Sequence, residues 1–171
     1  QRWQKIRLLG QGATGQVWLI QDRPSAGAPG KMLAMKVLTK SQFNTPQLQS
    51  CLQAEMVYQR SMKHSCILPV LQVIEDEQEV LLIMPFAPEG CLKSCITKSG
   101  GRCGERVVHF WAAQLILALE HLHTQHIAHR DIKMENVLVD DKGNVMLTDF
   151  GLSERIPAKK PVASPFPLVS T

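Results

Sequence analysis

The sequence predicts an α+β chain built in two unlike parts. The first half alternates short apolar runs with turn residues and holds one helical stretch, the pattern of a strand-rich sheet carrying a helix. The second half opens on a long segment that is apolar on most of its faces, as expected of a helix buried on more than one side. At 171 residues the chain suits one domain with room for a second small one. With 44% hydrophobic and 20% charged residues it reads as a folded globular chain rather than a disordered one.

Taken in order, residues 6–9 and 17–20 flank a glycine-rich turn and predict a β-hairpin. Residues 25–30 (SAGAPG) are a loop by composition, and 32–38 predict a strand. Thr45 followed by Pro46 is an N-cap with proline at the first helical position, opening a helix expected to run to about Met62. Residues 67–74 and 80–85 predict two strands joined by the acidic turn Glu75-Asp76-Glu77. A long helix is expected over 105–123. Residues 137–139 and 145–147 flank Asp140-Asp141-Lys142-Gly143, a hairpin signal. From Pro157 the chain loses periodicity, and its prolines predict an irregular tail.

Bulk properties exclude several classes. The net charge of +4 comes without a dense Lys/Arg block, which argues against nucleic-acid binding. The longest apolar stretch, 80–87, falls far short of the ~20 residues a membrane span needs. Five cysteines (Cys51, Cys66, Cys91, Cys95, Cys103) form no C-x-x-C pair and are odd in number, so a reducing, intracellular and cytoplasmic setting is expected. The first residue is Gln1, so the chain is expected to begin inside a longer protein, and no signal peptide is visible.

Five elements carry chemistry. Gly10-x-Gly12-x-x-Gly15-x-Val17 lies between two strands, where missing Cβ atoms let backbone N–H groups approach phosphate oxygens. A dinucleotide-binding turn would need a helix next, and β-favouring Val17-Trp18-Leu19-Ile20 follows instead. Lys36 stands on the strand Ala34-Met35-Lys36-Val37, and Glu55 on the expected helix. Then come His129-Arg130-Asp131-Ile132-Lys133-Met134-Glu135-Asn136 and Asp149-Phe150-Gly151. Singly, each has an ordinary reading: a glycine-rich turn, a snorkelling lysine, a solvated glutamate. Together, in this order, they are not chance.

On these motifs the chain resembles the eukaryotic protein kinases, over roughly residues 1–154. Lys133, two after Asp131, is the Ser/Thr form of the loop, and the strings AMKVLTK, FWAAQLILALEHLH and VMLTDFGLS look most like the AGC branch. His129 and Met134 depart from that branch's commoner Tyr and Pro. The resemblance implies a bilobal fold with a complete N-lobe and hinge over 1–90, a partial C-lobe with the catalytic and metal-binding loops over 91–154, and an irregular tail over 155–171. It implies ATP and Mg²⁺ as cofactors and a protein substrate with a Ser or Thr acceptor. It implies that Leu9, Gly10, Gly12, Gly15 and Val17 cover the nucleotide, with Ala34 as roof and Leu138 as floor. Met84 would be the gatekeeper, with Pro85, Phe86 and Ala87 as the hinge. Lys36 would hold the phosphates and be held by Glu55. Asp131 would accept or orient the substrate hydroxyl proton, Lys133 would steady the γ-phosphoryl, and Asn136 and Asp149 would ligate Mg²⁺. Phe150 and His129 would join the apolar stack linking the metal loop to the helix of Glu55.

Against the family pattern, Thr14 sits where an aromatic is common, and Gln59 occupies a normally apolar place, where an unpaired buried amide would cost ~1–3 kcal/mol. Cys91, just past the hinge, reads as a small packed residue. The cluster His121, His123 and His126 lacks the cysteine or carboxylate that would complete a metal set. Twenty residues follow Gly151, and no Ala-Pro-Glu-like motif is among them. Trp111, Leu115 and Leu119 are therefore expected to leave apolar surface uncovered. The chain is expected to be a fragment, a variant with a foreign tail, or a truncated nucleotide- or partner-binding module without catalysis. Ser164, Ser170 and Thr171 fall where activation-loop phosphosites lie in the family, and read as ordinary tail residues.

Overall fold

Alternation of apolar residues over two faces builds the first sheet. Its strands are β1 (Trp3–Gly12), β2 (Gly15–Asp22), β3 (Met32–Thr39), β4 (Gln72–Glu75) and β5 (Glu79–Pro85). They lie in the order β1-β2-β3-β5-β4 and pair antiparallel throughout. The computed structural model describes residues 3–12, 15–23 and 30–157. Thr14, Ser164, Ser170 and Thr171 lie outside them.

β3 is buried from Leu33 to Leu38. Successive residues of a strand face opposite sides, so it feeds two cores. Leu33, Met35 and Val37 pack with Ile20 and Ile83. Leu38 packs on the other side with Phe43, Leu52, Leu68, Val80, Leu82 and Met84. Lys36 shares this second face and points where the helix lies.

Helix α1 (Pro46–Ala54) starts as expected: Pro46 is at its first turn, and Thr45 Oγ1 accepts the Leu48 N–H at 3.3 Å. Its continuation is not α-helical. Residues Glu55–Gln59 form a π-turn, and both end residues of that turn are buried. The strand expected over 67–74 is shorter, because Pro69 has no N–H for a ladder. Leu68 N–H instead bonds Leu147 O at 2.9 Å, and Ile67 bridges Leu147 in parallel. This segment thus ties the two halves of the molecule together.

The second half contains β6 (Gly90–Cys91), α2 (Leu92–Lys98), α3 (Glu105–Thr124), β7 (Ile127–Ala128), β8 (Val137–Val139), β9 (Val145–Leu147) and β10 (Glu154–Arg155). Two small sheets result, β6-β8-β9 and β10-β7. Arg155, placed in the irregular tail by the sequence reading, pairs with Ile127. The β8–β9 hairpin turns on Asp140, whose Oδ1 accepts the N–H groups of Lys142 and Asn144 at 2.9 and 2.8 Å, with Gly143 at φ 82°.

The expectation that α3 leaves apolar surface uncovered holds, though mostly at residues other than the three named. Ala118 and Leu122 are wholly buried, and Trp111, Leu115 and Leu119 pack against the same core. Trp111 Nε1 also donates to Gly143 O at 3.0 Å. The helical period puts these residues on one stripe facing β8 and β9. The apolar surface left open is a different set: Val107, Val108, Phe110, Ile116 and Leu117. No helix among the described residues is long and apolar enough to cross a membrane.

Candidate active site

The glycines divide by what surrounds them. At Gly15 (φ 144°) an added Cβ would lie 2.1 Å from Val37 O, so glycine there lets β2 close on β3. Beside Gly10 and Gly12 a Cβ would meet nothing within 4 Å. That open space is what a ligand approaching the backbone requires. The β1–β2 register slips between Leu8 and Gly10, leaving Leu9 at the irregularity.

Register also aligns the expected roof. Val17 pairs with Lys36, and Ala34 pairs with both Leu19 and Met84. Directly opposed residues share a face, so Val17, Ala34, Lys36 and Met84 line one side of the sheet. Leu138, on β8, packs against the cluster that contains Met84. Ala87 is buried and Phe86 half-buried in the link that follows β5. Cys91 pairs with Leu138 through its backbone, and its Sγ lies 3.2 Å from Ser94 Oγ.

Three charged groups meet on that face. Lys36 Nζ is 2.7 Å from Glu55 Oε1 and 3.1 Å from Asp149 Oδ1. Burial pushes the Glu55 carboxyl up to about 7, and the Asp149 charge adds to this while Lys36 opposes it. Burial alone would lower Lys36, but the two carboxylates outweigh it and hold the ammonium above its ordinary range. Asp149 is raised by burial and lowered by Lys36, with a net downward result. Glu55 Oε2 is buried without a hydrogen-bond partner, and a Cβ on Gly151 would come within 3.1 Å of it.

The loop 129–136 gathers the other expected residues. Asp131 Oδ2 takes Lys133 Nζ at 2.6 Å and Asn136 Nδ2 at 2.8 Å, while Asn136 Nδ2 also donates to Asp131 O. The same Asp131 raises Lys133 above its ordinary range by direct hydrogen bonding. Arg130 and Asp149 both hold φ near +68°, the left-handed region that a non-glycine residue enters only under constraint.

His129 is fixed by both ring nitrogens. Nδ1 accepts the Asp131 N–H at 3.3 Å, so Nε2 carries the proton given to Thr148 O at 3.1 Å. Burial lowers its pKa, in accord with that neutral ring. The ring meets Phe150 edge-on at 4.9 Å, which forms the expected contact between the two loops.

Other partners gave no signal in the sequence. Arg130 pairs with Glu154, Ser153 Oγ donates to His129 O at 3.3 Å, and Thr148 N–H bonds Asn136 O at 2.9 Å. Gln59 departs from expectation. Its amide is fully buried, but Nε2 donates to Leu68 O at 3.2 Å and Thr148 Oγ1 at 3.3 Å, leaving only Oε1 unpaired. His121 stacks on His64 at 5.1 Å.

The family model for the protein kinase domain matches residues 3–167. The chain belongs to the protein kinase family. It is 33% identical over 154 residues to the cAMP-dependent protein kinase catalytic subunit of Dictyostelium discoideum, covering 90% of this chain and 23% of that one. It is 33% identical over 160 residues to mitogen-activated protein kinase kinase kinase 2 of Arabidopsis thaliana, covering 91% and 24%. It is 36% identical over 149 residues to serine/threonine-protein kinase CBK1 of Candida albicans, covering 86% and 20%. This kinase chain thus spans between a fifth and a quarter of the length of these relatives.

Proposed function

We propose that this chain binds Mg·ATP against the face bearing Val17, Ala34, Lys36 and Met84, and that the domain transfers the γ-phosphoryl to Ser or Thr hydroxyls of protein substrates. The observation that carries the reading is the convergence of Lys36, Glu55 and Asp149, from a strand, a helix and a loop. The chemistry of the residues fits the ligands. Asn136 spends its amide N–H on Asp131, which leaves its oxygen, and Asp149 offers a carboxylate; both are hard donors suited to Mg²⁺. Open space beside Gly10 and Gly12 suits phosphate oxygens. When bound, Mg²⁺ supplies neutralising charge on those oxygens.

In this reading Lys36 binds the phosphates and Glu55 keeps its ammonium in place. Leu9, Gly15 and Leu138 complete the nucleotide surface, with Phe86 and Ala87 beside the base. Asp131 takes or orients the hydroxyl proton, through the oxygen that Lys133 and Asn136 leave free. Lys133, at rest on Asp131, would steady the transferring γ-phosphoryl.

The test is transfer of labelled phosphate from Mg·ATP to a basic Ser-containing peptide, with Asp131→Asn as control. Transfer by the wild type that the variant lacks supports the reading. The open apolar face of α3 favours a second one, a nucleotide- or partner-binding module. Nucleotide binding without transfer would decide for it.

A further inference from the structure

Among the described residues, Gln59 is the one wholly buried amide that the scheme above leaves idle. Its placement is not accidental to the helix. The π-turn begins at Glu55 and ends at Gln59, so one distortion seats Glu55 against Lys36 and Gln59 against Thr148. The amide reaches three elements: Leu68 O in the crossing segment, Thr148 Oγ1 after β9, and Met84 Sδ at 3.6 Å on β5. Its oxygen has no partner. An apolar side chain of equal volume would remove that unpaired oxygen but would leave Leu68 O and Thr148 Oγ1 without their donor. What the amide adds is its donor side.

The recipient matters. Thr148 directly precedes Asp149 and is gripped at three atoms. Its N–H bonds Asn136 O, its carbonyl accepts from His129, and its hydroxyl accepts from Gln59. Two of these partners lie in the catalytic loop, and Gln59 adds a third from the helix carrying Glu55. The residue that follows stands at φ 68°, a backbone state its neighbours must enforce.

We infer that Gln59 is a positioning residue: by holding the Thr148 hydroxyl it fixes the backbone from which Asp149 is presented to a divalent cation. The inference rests on the nucleotide-binding reading above and adds a residue to it.

The test is calorimetric titration of the 171-residue chain with ATP, with and without Mg²⁺, for the wild type, Gln59→Met, Thr148→Val, Thr148→Ser and the Gln59→Met/Thr148→Val double variant. Gln59→Met is expected to weaken Mg·ATP binding about three- to tenfold, the worth of one hydrogen bond, and to leave metal-free ATP binding unchanged. Thr148→Val should lose the same factor, the double variant no more than either single, and Thr148→Ser, which keeps the hydroxyl, should bind as the wild type does. Thr148→Val gives the same reading should Gln59→Met fail to fold. Equal weakening with and without metal, additive losses in the double variant, or no change would each overturn the inference while leaving the kinase reading intact. A wild type that binds no nucleotide at all would overturn both.

Discussion

Lys36 Nζ lies 2.7 Å from Glu55 Oε1, with both side chains nearly closed to solvent. A strand residue and a helix residue, 19 positions apart, thereby form a buried ion pair with Asp149 as third member.

Removal of the ammonium leaves two carboxylates facing each other. Breaking a buried pair by deleting one partner costs ~3–5 kcal/mol, eased here because Glu55 can take a proton near neutrality. Lys36→Met is expected to lower the melting temperature by several degrees and to abolish stabilisation by Mg·ATP. Differential scanning calorimetry with and without ligand checks both, and an unshifted melt would contradict the burial described.

The pH dependence follows from Glu55, whose folded pKa of about 7 exceeds its ordinary 4.5. The stability from this group is fully present below about 4.5 and is lost as pH rises through about 7. The ionised carboxylate that holds Lys36 is populated over the opposite range. Mg·ATP binding should therefore strengthen as pH rises through about 7 while this part of the stability declines. Urea denaturation and titration calorimetry from pH 5 to 8 should show both trends flattened in Glu55→Gln; parallel profiles for the two proteins would refute the assignment.

Gln114 separates folding from chemistry. Its Oε1 accepts the Val145 N–H at 2.7 Å and its Nε2 donates to Asn144 Oδ1 at 3.0 Å, joining α3 to the β8–β9 hairpin. Gln114→Ala strands the Val145 N–H and should cost ~1–3 kcal/mol, read as a lower urea midpoint. The affinity for Mg·ATP per folded molecule should not change.

On the far side of α3, Phe110, Ile116 and Leu117 are each about half exposed or more. An apolar patch of this kind promotes association. Phe110→Lys with Ile116→Lys should reduce self-association in sedimentation velocity without altering nucleotide binding. An unchanged sedimentation profile, in a wild type that does associate, would place the contact elsewhere.

Much of this site was legible because chemistry restricts the residues. A lysine on β3, a helical glutamate and the two loops could be named from the sequence, and Lys36, Glu55 and Asp149 do meet. Contacts that depend on packing were not legible. The π-turn leaves no compositional trace, and Gln59 reads as an unpaired amide until Thr148 and Leu68 are brought to it. Helix α2 escaped notice because only Leu92 of its seven residues is buried, too few to set a period. The face of α3 was misassigned because apolar residues surround that helix, and only the hairpin at Gly143 selects Trp111 as the inner side.

The pairing of Gly90–Cys91 with Val139 and Leu138 has a mechanical consequence. It clamps the chain immediately after the link to the strand that follows the loop 129–136. Rocking of the five-stranded sheet over the second half would turn on the four residues 86–89, between the end of β5 and the start of β6, and would also strain the bonds of Cys66 and Leu68 to Leu147. The pivot is short and contains Pro88, whose φ is fixed. A short link with one fixed torsion restricts the relative motion of the two halves to few axes.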